Sequence, residues 1–150
     1  AKVDDCIFLS NTLGRGYLGR KNLSVTENNH FLKPVLPQNL IDAIASYATA
    51  CIDVSDGFIL DLGRICEASK VGFKVALNSR HTSTGKEDLW CGDDYILCFT
   101  SSRSDLENVL NISEDISHVG FITNSSIENE ILYENQKVTF HKKGWDSFNQ

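Results

Sequence analysis

A turn that carries two carboxylates and a hydroxyl is the part of this sequence best suited to chemistry. It lies in residues 50–57 (ACIDVSDG), where an apolar run ends in Asp53, Ser55, Asp56 and Gly57. The two carboxylates are hard oxygen ligands for a divalent cation, and a helix that begins at such a turn presents unpaired N–H groups to an anion such as phosphate. The glycine would let a ligand approach the backbone closely. The pattern therefore predicts a site for a metal ion and a phosphate, with both aspartates as metal ligands.

A structural role is the alternative for the same residues. Ser55 and Asp56 are both residue types that commonly cap the N-terminus of a helix, with a side-chain oxygen that accepts a backbone N–H. In that case the turn would need no ligand. The residues alone leave both interpretations open.

A second pair of carboxylates, Asp93 and Asp94, stands in a small-residue segment directly before an apolar run that begins at Tyr95. Carboxylates at the start of a strand could bind a cationic group of a substrate. The alternative is a solvated turn in which one of the two aspartates closes a hydrogen-bonded Asx-turn.

Aromatic residues near the C-terminus form a third candidate. Trp145 and Phe148 lie among polar residues, where they would either cover an apolar patch or stack against an aromatic ligand. The spacing Gly14-x-Gly16-x-x-Gly19 matches a dinucleotide fingerprint, but no acidic residue ends a following strand about 20 residues later, so we interpret it as a chance match. The four histidines show no ligand spacing and are assigned no role.

Hydrophobic periodicity places these candidates on a mixed succession of strands and helices. Alternating apolar residues predict a strand over residues 50–54 that delivers the acidic turn, and helical spacing predicts a helix over residues 58–69 directly after it. Further strands are predicted over residues 6–10, 71–77, 95–100, 118–123, 130–133 and 137–141, further helices over 38–48 and 103–110, and a polar loop over 78–88. This order predicts an α+β layered domain.

Composition bounds the class of protein. The chain has 150 residues, of which 41% are hydrophobic and 23% charged, as is typical of one folded domain. Its net charge of -6 and its scattered lysines and arginines argue against a nucleic-acid-binding surface, so an anionic ligand would need metal ions. No apolar stretch has the length of a membrane span, and the N-terminus lacks the layout of a signal peptide.

The five cysteines are odd in number, lie mostly within apolar runs and include no C-x-x-C pair. Buried free thiols in a cytoplasmic protein are the expectation. The sequence has no methionine, which predicts that Ala1 is not a native start and that the chain is a piece of a longer protein.

Four segments resemble, in order, the thiamine-monophosphate kinase family of the aminoimidazole-ribonucleotide-synthetase-like ATP-binding superfamily. Residues 5–14 (DCIFLSNTLG) resemble the family's gly-asp, apolar strand and thr-gly-thr-leu-gly opening. Residues 50–69 (ACIDVSDGFILDLGRICEAS) are similar to ile-asp-ile-ser-asp-gly, leu-asp-leu-gly-his and glu-ala-ser. Residues 92–100 (GDDYILCFT) resemble gly-glu-asp-tyr-glu-leu-cys-phe-thr, and residues 144–148 (GWDSF) resemble gly-tyr-asp-his-phe. The resemblance covers nearly the whole chain and corresponds to the family's C-terminal half.

The resemblance implies an ATP-dependent kinase that phosphorylates thiamine monophosphate to thiamine diphosphate by direct, magnesium-assisted transfer. It assigns Asp53 and Asp56 as magnesium ligands, Ser55 as an ATP contact, and Asp93 and Trp145 as contacts of the thiamine substrate. It assigns no general base, because phosphoryl transfer depends mainly on positioning and on charge neutralisation by the metal.

The resemblance also implies a fold and partners. Residues 1–150 would be a single C-terminal domain with a mixed sheet and helices packed on one side. An N-terminal domain would supply further magnesium ligands, most of the nucleotide site and a homodimer interface, so the chain alone would be inactive. The implied small molecules are Mg²⁺, ATP and thiamine monophosphate, with no nucleic acid or membrane partner.

The chain departs from the family pattern at positions that bear on the substrate. Asp93 is one methylene shorter than the family's glutamate, Trp145 replaces a tyrosine, and residues 33–38 lack the arginine that usually follows the second proline. A C-terminal domain of another superfamily member, of the selenophosphate synthetase or hydrogenase-maturation type, is one alternative. A magnesium- or phosphate-binding module without catalysis is the other.

Overall fold

The computed structural model describes residues 1–25, 27–125 and 129–139. Over these residues the strands are β1 (Cys6–Leu9), β2 (Ala48–Asp53), β3 (Val71–Leu77), β4 (Leu97–Ser101), β5 (Ser117–Asn124), β6 (Glu130–Tyr133) and β7 (Gln136–Lys137). The α-helices are α1 (Arg15–Lys21), α2 (Ile41–Ala45), α3 (Phe58–Ser69) and α4 (Leu106–Leu110). The strands form one sheet in the order β2-β4-β1-β5-β3-β6-β7, in which only β3 and β6 pair in parallel. The α+β class and the mixed sheet are therefore confirmed.

The helix α3 covers one face of the sheet. It buries Phe58, Leu62 and Ile65 in a cluster with Ile7 and Leu9 of the central strand β1. This apolar side of the helix repeats at the three- and four-residue spacing from which the sequence predicted it. Burial of large apolar side chains of this kind supplies most of the free energy that holds a helix on a sheet.

A smaller core lies on the opposite face. Because neighbouring residues of a strand point to opposite sides, Cys6 and Phe8 turn away from α3. They pack there with Ile44 of α2 and Val109 of α4. Helices therefore lie on both faces, so the expectation of helices on one side holds for the long helix α3 and not for the two short ones.

Several predicted boundaries were wrong near β2. The helix predicted over residues 38–48 is a 3-10 turn, Gln38–Leu40, followed by the short helix α2, and β2 begins earlier than predicted. Pairing with β4 draws Ala48 into the strand, since this residue lies opposite Ser101. The bounds of α3 and β3 are as predicted. The strand predicted over residues 137–141 shortens to β7, and its last two residues lie outside the described part of the chain.

The exposure of the cysteines and the length and polarity of the helices bear on the class of protein. The cysteines are free, and Cys6, Cys66 and Cys98 are buried as expected, whereas Cys51 is exposed on the edge strand β2. The expectation of buried thiols was thus wrong for Cys51. Within the described residues, each helix is too short or too polar to cross a bilayer.

Candidate functional site

The pairing of β2 with β4 brings the two predicted carboxylate segments together. The strands are antiparallel, so the end of β2 lies beside the start of β4, with Asp53 opposite Leu97. Beyond the strands the backbones remain bonded, because Tyr95 N–H donates to the Val54 carbonyl at 2.8 Å and Asp93 N–H donates to the Ser55 carbonyl at 3.0 Å. The acidic turn and the segment before β4 are therefore one site and not two.

Two glycines allow this close approach. A Cβ on Gly92 would lie 2.2 Å from the carbonyl oxygen of Ser55, and a Cβ on Gly57 would lie 2.7 Å from that of Trp90. Gly57 also has a φ of 125°, which residues with a side chain rarely adopt. The sequence had suggested that Gly57 makes room for a ligand, but the backbone of residues 90–92 already fills this space.

A buried aspartate that the sequence analysis missed fixes the acidic turn. The carboxylate of Asp61, in the first turn of α3, is fully buried. Its Oδ2 accepts the N–H groups of Ser55 and Asp56 at 3.1 Å and that of Gly57 at 3.2 Å. The N–H groups of these three residues, which precede α3, are consequently not available to a phosphate. The capping alternative was wrong, since Gly57 occupies the N-cap position and neither Ser55 nor Asp56 does.

One arginine joins the buried carboxylate to the exposed one. Arg64 Nη1 lies 2.6 Å from Asp56 Oδ2 and 2.5 Å from Asp61 Oδ1. Burial raises the pKa of Asp61, while the N–H donor of Asp56 and the Arg64 guanidinium oppose that rise. The signal in the sequence was an Asp–Arg pair at i, i+3 on a helix, a spacing that commonly forms ion pairs.

The carboxylates of Asp53 and Asp56 are suited to bind a magnesium ion that is also coordinated by a phosphate group. Asp53 is exposed at the end of β2, and the Asp56 side chain is 32% exposed. The Asp56 carboxylate already attracts a positive group, the Arg64 guanidinium. In residues 1–25, 27–125 and 129–139 no three His, Cys, Asp or Glu side chains are grouped closely enough to enclose a metal. Magnesium commonly retains waters and needs only one or two carboxylates besides substrate phosphates, so these two residues fit it.

The two aspartates before β4 have different environments. The side chain of Asp93 is 34% exposed, with Arg20 Nη1 at 3.7 Å from its Oδ2, so it remains accessible to a ligand. Asp94 is fully buried, and its two oxygens accept the N–H groups of Gly14 at 2.7 Å and Gly16 at 2.9 Å. Burial raises the pKa of Asp94 to about 6, although these N–H donors oppose the rise. The alternative of a solvated turn is wrong for Asp94.

The bonds of Asp94 also account for the glycine spacing. The N–H groups of Gly14 and Gly16, which a dinucleotide fingerprint would offer to phosphates, bind a carboxylate of the protein itself. This agrees with our interpretation of the spacing as a chance match. Of the predicted site residues, Asp53, Ser55, Asp56 and Asp93 lie in one region, whereas Trp145 lies outside the described residues.

Comparisons with known proteins give a consistent set of relatives, although no protein-family model matches the chain. It is 30% identical to the thiamine-monophosphate kinase of Buchnera aphidicola subsp. Schizaphis graminum over 177 aligned residues, which cover 99% of this chain and 54% of the relative. It is 30% identical to the enzyme of the same name from Salmonella typhimurium, with the same coverage of both chains. The chain thus spans about half the length of these curated relatives.

Solved structures share the fold. A structure described as AaThiL complexed with AMPPCP and TMP superposes with a TM-score of 0.72 at 24% identity, over 99% of this chain and 52% of that one. The structure of a HypE-HypF complex gives a TM-score of 0.70 at 17% identity, over 95% of this chain and 54% of that one. These likenesses establish that the chain shares its fold with about half of each of these structures.

Proposed function

Because the chain is a homologue of the thiamine-monophosphate kinases over nearly its whole length, we propose that it is the C-terminal part of such a kinase. The complete enzyme would transfer a phosphoryl group from ATP to thiamine monophosphate and release thiamine diphosphate. The observation that carries this proposal is the meeting of the acidic turn and Asp93 at one accessible place beside β2 and β4.

The acidic turn would hold the phosphate end of the reactants. Asp53 and Asp56 are the ligands that we assign to magnesium, and Ser55 lies between them on the same turn, where its hydroxyl would contact ATP. Bound there, magnesium would neutralise charge on the transferring phosphoryl group. The chain's own contribution is a turn whose backbone is fixed before the ligands arrive, because Asp61 already binds its N–H groups.

Asp93 and Trp145 would hold the thiamine end. The Asp93 carboxylate is accessible and lies next to the acidic turn through the bond of its N–H to Ser55. A carboxylate at this point complements a cationic ring, and an indole complements its flat aromatic surface. No residue is assigned as a general base, since positioning and charge neutralisation account for most of the catalysis of phosphoryl transfer.

The proposal extends to organisation and location. Residues 1–150 would form one C-terminal domain of a cytoplasmic enzyme, with small molecules rather than nucleic acid or membrane as its ligands. The other half of the protein would supply further magnesium ligands and a homodimer interface, as the family resemblance implies. The length of the relatives supports this organisation, since the chain covers 54% of them.

The hydrogenase-maturation alternative has the same fold but weaker support. The HypE-HypF structure resembles this chain almost as closely in shape as AaThiL does, at lower sequence identity. Curated relatives at 30% identity or more carry the kinase name. Sequence likeness therefore favours the kinase over the other members that share the fold.

Replacement of Asp56 by Asn in the complete enzyme tests the proposal. We expect kinase activity to fall about a hundredfold or more, because the amide weakens the magnesium clamp on the phosphates. The melting temperature should change little, since Asp56 is one-third exposed and makes one ion pair. The matched control is Glu67→Gln, which removes an exposed carboxylate from α3, the helix that follows the turn. Near-normal turnover by the Asp56→Asn enzyme would contradict the metal assignment.

A further inference from the structure

Arg64 places a positive charge beside the Asp56 carboxylate, which the proposed function assigns to magnesium. Its guanidinium lies 2.6 Å from Asp56 Oδ2, which is the length of a strong charge-assisted hydrogen bond. Both side chains are partly exposed, so a metal ion from solvent can reach the pair. Arg64 also forms an ion pair with a second carboxylate, the buried one of Asp61.

That second carboxylate holds the arginine at the turn. Asp61 is fully buried and receives three backbone N–H groups, so its own position is fixed by α3 and by the turn. Arg64 follows it by three residues on the same helix and contacts Asp61 Oδ1 at the same time as Asp56 Oδ2. The arginine therefore has a second carboxylate partner beside Asp56.

The Arg64 guanidinium and a divalent cation cannot both contact the same oxygen atom, Asp56 Oδ2. Like charges about 4 Å apart repel by several kcal/mol even at the effective dielectric constant of a protein surface. A metal ion that binds Asp56 through Oδ2 must consequently displace the Arg64 contact.

We propose that Arg64 is a built-in competitor of the divalent cation. It occupies Asp56 when no metal is bound, offsets part of the negative charge of the turn, and keeps only its Asp61 contact when the metal binds. The inference rests on the proposed function, because it takes Asp56 as a metal ligand. Arg64 would then set the concentration of metal at which the site fills.

The competition is measured by titrating the complete protein with Mg²⁺ as the only ligand in an isothermal calorimeter. The measured quantity is the dissociation constant for Mg²⁺. Arg64→Gln should tighten Mg²⁺ binding about two- to fivefold, since an exposed ion pair contributes up to about 1 kcal/mol. Arg64→Lys keeps the charge and should stay near the parent affinity. Arg80→Gln removes one positive charge from an exposed loop residue and should leave the affinity unchanged. A thermal melt of each variant checks that the fold is retained.

The outcomes separate this inference from the proposed function. Asp56→Asn should lose most of the Mg²⁺ binding if Asp56 is a ligand. If Asp56→Asn weakens binding while Arg64→Gln leaves it unchanged or weaker, competition is overturned and the metal site survives. If the parent protein shows no Mg²⁺ binding that depends on Asp56, the metal site itself is overturned, and the competition with it. If Arg64→Gln and Arg80→Gln increase the Mg²⁺ affinity equally, the effect arises from the net charge of the protein alone. That result would also overturn the inference.

Discussion

Two buried aspartates shape the site without being exposed to its ligands. Asp61 binds three N–H groups of the acidic turn, and Asp94 binds those of Gly14 and Gly16. Each carboxylate accepts backbone N–H groups that would otherwise lack a hydrogen-bond partner. Each buried N–H group left without an acceptor would cost about 1–3 kcal/mol of stability. At the scale of the residue, the buried carboxylates bind the backbone, and the partly exposed carboxylates of Asp56 and Asp93 remain accessible to solvent.

Asp61 and Asp56 share Arg64 but should differ sharply in what they contribute to stability. Asp61→Ala leaves three N–H groups without their acceptor, so we expect the free energy of unfolding to fall by about 2–4 kcal/mol. Asp56→Ala removes a partly exposed ion pair and should cost about 1 kcal/mol or less. Urea unfolding of both variants measures the difference. Equal losses would mean that the bonds to Asp61 do not hold the turn.

Asp94 should make stability depend on pH. Its pKa of about 6 in the folded chain lies above its ordinary value of 3.8, so the folded state holds an extra proton between these values. Stability due to Asp94 is therefore present below about pH 4, falls as the pH rises, and is lost above about pH 6. The difference amounts to about 3 kcal/mol at most.

Comparison with Asp94→Asn isolates this effect, because asparagine does not titrate. We expect the unfolding free energy of the parent chain to fall relative to that of the variant between pH 4 and pH 7, measured by urea unfolding at each pH. A difference that stays constant over this range would show that Asp94 does not titrate as its burial indicates.

At the scale of the element, the long helix and its neighbouring strand were predictable and the short elements were not. Apolar residues at helical spacing marked α3, and alternation marked β3, because each element buries one regular face. The helix α2 has only five residues and buries Ile44 alone, so its periodic signal is weak. Pairing between β2 and β4 set the start of β2, and no local pattern encodes a partner that lies far along the chain.

The residue types of the candidate site were predictable from the sequence, but the hydrogen bonds that connect them were not. Asp53, Asp56 and Asp93 stood out because carboxylates at strand ends are unusual in an apolar context. The bonds from Asp61 and Asp94 join residues of different elements, so they depend on tertiary geometry. The acidic turn was therefore predicted, while the two buried carboxylates that bind its backbone and that of Gly14 and Gly16 were not.

Two glycine-to-alanine changes should have opposite effects on stability. Gly92→Ala places a Cβ 2.2 Å from the Ser55 carbonyl oxygen, so we expect a loss of about 1–3 kcal/mol as the two segments separate. Gly63→Ala lies in α3 with no atom within 4 Å of the new Cβ, and better helix propensity should add about 0.5–1 kcal/mol. Urea unfolding tests both, and a neutral Gly92→Ala would contradict the close packing of the site.

At the scale of the whole molecule, folding and catalysis should separate. The sheet has a core on each face, which supports independent folding of these 150 residues. Two accessible carboxylates are too few to hold several magnesium ions against a polyphosphate. We expect a cooperative melt by circular dichroism, together with negligible binding of Mg-ATP and thiamine monophosphate by calorimetry. Micromolar binding of Mg-ATP, or formation of thiamine diphosphate by this chain alone, would contradict the proposed two-part enzyme.

The antiparallel pairing of β2 with β4 also has a kinetic consequence. The two strands are separated along the chain by α3 and β3, so their contact closes a long loop at an entropic cost. The acidic turn and Asp93 are neighbours only once that loop has closed. Partly folded chains in which β2 and β4 are still apart therefore lack the proposed site.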